Sequence, residues 1–253
     1  MLQNIAQTRV SAFFIHLAFS ALIAFTIILA AILVWYPDYL LTLTGAKKIF
    51  SLIILVDVCI GPILTLIVFN KKKPELGRDL FIIFLIQICA LVYGMYTIAI
   101  ARPVYIVFSV DRFELVQAND IGSVNLKRAT EEKFKRLPLY SPKWIGTKRP
   151  VDQKEKEELL FGAASGGYDL AQLPKYYINY SDAITEIKKS AISIKSLKEF
   201  NPDQTSKIQN LIKMYPDNEY GYLPLSSKQA SLTVIIKRET GNVVEVNELN
   251  PWN

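Results

Sequence analysis

Residues 80–110 read LFIIFLIQICALVYGMYTIAIARPVYIVFSV, and two structural regimes meet inside them. From Leu80 to Ala101 there are 22 consecutive residues without a charge. At 1.5 Å per residue they make about 33 Å of helix, enough to cross a hydrocarbon core about 30 Å thick. Arg102-Pro103 ends the run. Val104–Val110 is then β-branched and aromatic, and Phe113-Glu114-Leu115-Val116 follows the polar pair Asp111-Arg112. That is the pattern of a β-hairpin beginning almost at the membrane surface. A membrane unit and a water-soluble unit therefore join at residue 102.

Toward the N-terminus two more runs have the same character. Residues 11–36 carry no charge if His16 is neutral, and residues 49–69 are interrupted only by Asp57. As helices they would be about 39 and 32 Å long. A backbone in lipid must satisfy its own hydrogen bonds, so helix is the reading for all three. A cleaved signal peptide over residues 9–33 is disfavoured, because the apolar run is too long and continues through the interfacial pair Trp35-Tyr36.

Charge is distributed accordingly. Residues 1–102 hold 8 Lys and Arg and 4 Asp and Glu, against 21 and 19 in residues 103–253. This asymmetry excludes a single soluble domain, a disordered chain and a wholly embedded one. The soluble part is nearly neutral, so the sequence pI of 9.1 is no sign of a nucleic-acid partner. Basic residues in short loops favour the inside: Lys71, Lys72, Lys73 and Arg78 lie between spans two and three, and Arg9 precedes the first. Pro37–Lys48 has only Lys47 and Lys48. The N-terminus is thus expected in the cytoplasm and the chain beyond Arg102 outside, in the periplasm of a two-membrane bacterium.

The expected fold is three transmembrane α-helices (about 11–36, 49–69 and 80–101) in a unit over 1–102, then a periplasmic α+β domain over 103–253 with N- and C-terminal β-hairpins. Within that domain the pattern predicts helices over Asn125–Leu137, Asp152–Phe161, Ala183–Phe200 and Asp203–Tyr215. Pro138, Pro142, Gly146 and Pro150 predict an irregular crossing. Leu232–Lys237 and Asn242–Val246 form the closing hairpin across Glu239-Thr240-Gly241, and the two hairpins are candidates to share one sheet.

Catalytic constellations are missing. His16 is the sole histidine, and Cys59 and Cys89 lie in predicted spans, so Ser-His-Asp or Cys-His chemistry is impossible in the soluble domain. Residues 162–167, GAASGG, follow a helix rather than a strand and read as a turn, not a phosphate loop. The expectation is a protein that is not an enzyme and has no cofactor or metal.

Polar groups within the spans are more telling. Measured from the cytoplasmic end at about 1.5 Å per residue, Asp57 is about 18 Å deep, Tyr93 about 20 Å, His16 about 8 Å and Gln87 about 10 Å. A carboxyl near the midplane is costly without a partner. It is either hydrogen-bonded internally, to Tyr93 or a backbone carbonyl, or it receives a positive or polar group from another membrane helix. Gly61-Pro62, one turn later, loosens the helix and frees a carbonyl, a natural docking notch. His16 and Gln87 are placed to meet if helices one and three are neighbours.

Several motifs together resemble the type IV pilin accessory proteins of the TfpX/TfpZ type. They are Trp35-Tyr36-Pro37, the run Val56–Leu66 (VDVCIGPILTL), Ala101-Arg102-Pro103-Val104-Tyr105, Val110–Glu114, Gly166–Pro174, Gly221–Leu225 and Asn250-Pro251-Trp252. The resemblance implies a non-enzymatic inner-membrane accessory protein, a chaperone or assembly factor for a cognate type IV major pilin. It implies shelter for the pilin helix in the membrane and for its head in the periplasm. Candidate partner-binding residues are Asp57, Gly61, Pro62 and Tyr93 in the spans, and Tyr168, Tyr176, Tyr177 and Tyr222, the last in an expected Gly221–Leu225 loop, outside, where the aromatics equally suit a core. Rival readings are a structural or regulatory component of the inner-membrane pilus machinery, and a periplasmic ligand sensor.

Overall fold

The structure, a computed structural model, describes residues 2–36 and 39–252. Pro37, part of one family-like motif, lies outside them. The chain divides into two compact units: Met1–Val34 with Gly45–Ile100, and Trp35–Thr44 with Ala101–Asn253.

The helices of the first half are α1 (Leu2–Val34), the short α2 (Leu40–Thr44), α3 (Ala46–Ile53), α4 (Gly61–Val68) and α5 (Leu76–Ile100). Between α3 and α4 the chain widens into a π-helix over Ile54–Ile60. The three apolar spans are Thr8–Val34, Ala46–Val68 and Leu76–Ile100. Thus α3, the π segment and α4 form one continuous second span. It packs against α1 on one side and α5 on the other. Gly94 permits the close approach of α5 to α3, since a Cβ there would lie 2.8 Å from Ile53 Cγ1. Large apolar side chains such as Phe14, Phe19, Leu22, Phe81 and Val92 face outward, as lipid-facing surfaces require.

The second unit is built on a seven-stranded sheet among the described residues. Its strands are β1 (Pro103–Ser109), β2 (Arg112–Gln117), β3 (Lys143–Thr147), β4 (Tyr177–Asn179), β5 (Tyr220–Ser226), β6 (Ser231–Lys237) and β7 (Val243–Asn247). Their order is β4-β3-β1-β2-β5-β6-β7, so the first and last hairpins do share one sheet. The pairs β1–β3 and β2–β5 are parallel and the rest antiparallel. Every residue of β1 is buried. A strand covered on both faces has no solvent side to mark with polar residues, hence its unbroken apolar run.

One face carries Ile106, Phe108, Phe113, Leu223, Leu225, Val234 and Ile236, covered by Ala183 and Ile187 of the helix Tyr180–Ser190. Leu40 and Leu43 of α2 join this core, each 1% exposed. Trp35 Nε1 also donates to the Leu139 carbonyl at 2.7 Å. The segment linking the first two spans is therefore part of the soluble unit's interior. On the other face, Val104, Val107, Val116, Ile145 and Tyr177 pack with Phe134 and Ala171. Farther along, Tyr222 and Ile235 pack with Ile194, Leu197, Ile208 and Leu211.

Beyond β2 the helices are α6 (Ser123–Lys127), α7 (Gln153–Ala164), α8 (Tyr180–Ser190), α9 (Leu197–Phe200) and α10 (Thr205–Met214). Four sequence expectations are corrected here. The helix expected over Asn125–Leu137 is only α6 and a 3-10 turn at Glu132–Phe134. Between them Thr130 Oγ1 donates to the Lys175 carbonyl, and Ala129 and Phe134 are drawn into the core. The irregular crossing at 138–150 contains β3, whose Gly146 accepts the close contact of Ala183, 2.4 Å from where a Cβ would lie. The Gly221–Leu225 loop is the buried strand β5.

The helix expected over Ala183–Phe200 breaks between α8 and α9. Ile192 there bridges to Tyr222 through two 2.9 Å backbone bonds. Arg238 secures the break: Nε donates to the Asp217 and Tyr220 carbonyls at 3.0 and 2.9 Å, and Nη1 to Ala191 at 3.2 Å. Five donors in a planar fork suit a cluster of orphan carbonyls that no helix register satisfies.

Glu114 of β2 lies opposite Val107 on the sheet. Burial, reinforced by the Asp169 carboxylate and opposed by Arg112, pushes its carboxyl up to about 7 from an ordinary 4.5. A raised carboxylic pKa favours the folded state below the unfolded value, and that contribution is lost as pH rises through the folded one. Unfolding of the detergent-solubilised chain is therefore expected to become easier from pH 5 to 8, by up to about 3 kcal/mol from this residue. The Glu114→Gln variant should show a flatter profile over that window. An unchanged slope would refute the assignment.

Candidate functional site

The second span holds a site that begins with a proline. Pro62 has no N–H, and in an α-helix its ring would clash with the Val58 carbonyl. The preceding segment takes the wider π register instead, with the Gly61 N–H bonded five residues back to the Val56 carbonyl. In that register the Asp57 carbonyl faces residue 62, which cannot donate. It is an orphan inside a membrane span.

Gln87 of α5 supplies the missing donor, its Nε2 reaching the Asp57 carbonyl at 3.1 Å. Gly61 makes room for this, since a Cβ there would sit 1.9 Å from Gln87 Nε2. With its amide N–H committed, Gln87 turns Oε1 toward His16 Nε2 at 2.7 Å. Oε1 only accepts, so the proton must sit on Nε2 of His16. In the neutral ring, Nδ1 then accepts from the Thr65 hydroxyl at 2.6 Å. Thr65 Oγ1 also lies 3.2 Å from the Gly61 carbonyl. One chain of polar groups thus ties all three spans together, with its direction set by the proline-orphaned carbonyl.

The Asp57 side chain stays out of this chain. It is 6% exposed, and neither Oδ1 nor Oδ2 has a hydrogen-bond partner among the described residues. It lines a cavity of about 280 Å³ between α1 and α5, walled by Phe19, Ile23, Phe84, Ile88 and Leu91. A larger hollow of about 550 Å³ shares His16, Phe84 and Gln87 with it and reaches Lys71. The internal partner expected of Tyr93 is not found: its side chain is 67% exposed. Six residues beyond Gln87, it points about 240° round the helix, away from the second span.

Outside the spans the tyrosines separate. Tyr177 and Tyr222 are each 1% exposed, with their hydroxyls donating to the Ala171 and Pro251 carbonyls at 2.6 and 3.1 Å. Tyr176 is buried too, its hydroxyl 3.3 Å from Glu155 Oε2. Tyr168 is the half-exposed member. With Tyr176 it lines a polar hollow of about 290 Å³ that Asn125, Arg128, Glu155 and Lys175 also border. Sequence reasoning passed over Thr65, although a threonine one turn after a Gly-Pro pair is placed to bond the loosened backbone. Asn125 and Arg128 carried no signal above an ordinary polar helix face.

Three transmembrane helices joined by internal polar bonds, followed by an α+β domain, define a multi-pass membrane protein with a water-soluble head. The fimbrial assembly protein of serogroup I from Dichelobacter nodosus is 32% identical over 245 residues, 94% of each chain. Its serogroup E1 counterpart is 31% identical over 246 residues, again 94% of both. That of serogroups C1 and C2 is 39% identical over 109 residues, 42% of this chain and 83% of the relative. The chain belongs to this family of fimbrial assembly proteins, which bears out the resemblance to type IV pilin accessory proteins. No family model matches the chain, and no solved structure does.

Proposed function

We propose that the chain is a non-enzymatic inner-membrane assembly factor for a cognate type IV major pilin. In this reading the N-terminus is cytoplasmic and the second unit periplasmic. The spans shelter the pilin's membrane helix while the second unit holds its head. Asp57, Gly61 and Pro62 act at the membrane end of this contact. Tyr168, with Tyr176 beneath it, offers a surface to the head, whereas Tyr177 and Tyr222 support it from the core. Tyr93 serves as an outward, lipid-level contact.

One observation carries the reading: the Asp57 carboxyl is buried within the spans, beside a cavity with largely apolar walls, and has no hydrogen-bond partner among the described residues. An intramembrane ionisable group of this kind is the mark of a function rather than of packing. An assembly factor has a use for such a place, because a subunit awaiting polymerisation is itself a membrane helix.

The test is site-specific photocrosslinking in native membranes from Ile88 and Leu91, with and without the gene for the cell's major type IV pilin. A pilin-sized adduct that vanishes with the gene is expected. An adduct to another membrane protein, unchanged by loss of pilin, would instead make the chain a component of the pilus machinery.

A further inference from the structure

We infer that the Asp57 cavity is a binding site for a cationic nitrogen group, an ammonium or guanidinium, carried into it by a partner's membrane helix. The inference rests on the sheltering role proposed above and names the chemistry by which the partner is recognised.

Three observations lead to it. Among the described residues the carboxyl's two acceptor oxygens are both without partners and both buried. No Lys or Arg among those residues lines the cavity, so they bring no countercharge to it. Of the other polar groups that line it, Gln87 is bonded at both ends of its amide and His16 at both nitrogens, and Ser20 brings one neutral hydroxyl. What remains is a pair of acceptors on a largely apolar wall whose single hydroxyl can neither fill both nor balance a charge. A cation with two or more N–H donors satisfies both oxygens and the charge together.

The surroundings are arranged to keep the carboxyl available. Had the second span stayed α-helical, the Asp57 carbonyl would have bonded to the Gly61 N–H. Gln87 would then have been free to turn its amide to the neighbouring carboxyl. The proline-driven π register diverts Gln87 to the carbonyl instead. Gly61, His16 and Thr65 hold it there, so they are positioning residues and Asp57 is the contact. The cavity opens between α1 and α5, whose outer faces are apolar, as a helix arriving laterally through lipid needs.

The experiment repeats the Leu91 crosslink in full-length protein carrying Asp57→Asn or Asp57→Leu. Removing the charged member of a buried pair leaves its partner's charge uncompensated, so both variants should lose at least about tenfold of the pilin adduct. If Asp57→Asn keeps the adduct and Asp57→Leu loses it, the donor is a neutral group, and the cation is overturned while sheltering stands. Retention in both variants removes Asp57 from the contact altogether. Absence of any pilin adduct in the unaltered protein refutes the sheltering role itself.

A second measurement needs no variant and guards against misfolding. Asp57 in unaltered membranes is challenged with dicyclohexylcarbodiimide, a lipid-soluble carboxyl reagent, and the labelled residue is found by peptide mass. Labelling is expected in membranes without pilin and protection in membranes with it. Equal labelling in both, or none in either, overturns the inference.

Discussion

Replacing Leu40 or Leu43 with alanine destabilises the soluble unit by about 2–5 kcal/mol each, as removal of a fully buried leucine does. Both side chains lie in the same core as Phe108, Phe113 and Ile187, although they belong to the segment between the first two spans. Each replacement opens a cavity in a sheet that is packed on both faces. The measurement is thermal unfolding of the full chain in detergent, followed by tryptophan fluorescence. Trp144 packs against that core and reports its loss. A linker that merely joined two spans would tolerate both changes with no shift in the transition. Protease resistance of the region after Arg102 should fall in parallel.

Gly61→Ala and Gln87→Ala each destabilise the bundle of spans by about 1–3 kcal/mol, and their effects do not add. The alanine Cβ at residue 61 would stand 1.9 Å from Gln87 Nε2 and drive the amide off the Asp57 carbonyl. Without Gln87 the same carbonyl loses its donor directly. Both variants therefore leave the Asp57 carbonyl an orphan acceptor within the spans, and the double variant leaves that same one, while Gln87→Ala adds an unpaired His16 Nε2–H in either background. Unfolding in mixed detergent micelles measures this. Additive costs would show that Gly61 acts through helix packing alone and that the amide bond contributes little. His16→Leu should cost less than either, since it removes the group that orients Gln87 without touching the bond to the carbonyl.

These two expectations come from different levels of the molecule. The second was half legible in the amino-acid order. A Gly-Pro pair inside an apolar run announces a freed carbonyl, and the depths of His16 and Gln87 announce that they can meet. What could not be read was that Gln87, rather than Tyr93, answers the second span. Depth is one coordinate, and the angle around a helix depends on which neighbour it packs against. The first expectation was not legible. Tyr39-Leu40-Leu43 looks like any short apolar turn between spans until a distant sheet is seen to enclose it.

The soluble unit divides in the same way. Local period and turn residues were enough for the two terminal hairpins and for α7 and α10, because those elements take their register from adjacent residues. The strand β3 was missed because it is held by β1, far back along the chain, and β5 because its parallel neighbour β2 is more distant still and its short turn to β6, Ser227–Ala230, carries no Gly or Pro to mark it. The break between α8 and α9 follows the same rule, since Arg238, 46 residues beyond Ile192 and 47 beyond Ala191, binds the carbonyls that follow the helix.

By itself the sequence determined three apolar spans, the change from helix to strand at Arg102-Pro103, and the placing of one acid among apolar residues. All of these follow from composition along a line. Only the tertiary structure decided that the carboxyl of Asp57 is left without a partner. That outcome depends on a proline one turn away, a glutamine on another helix and a histidine on a third, which meet only when the helices are packed.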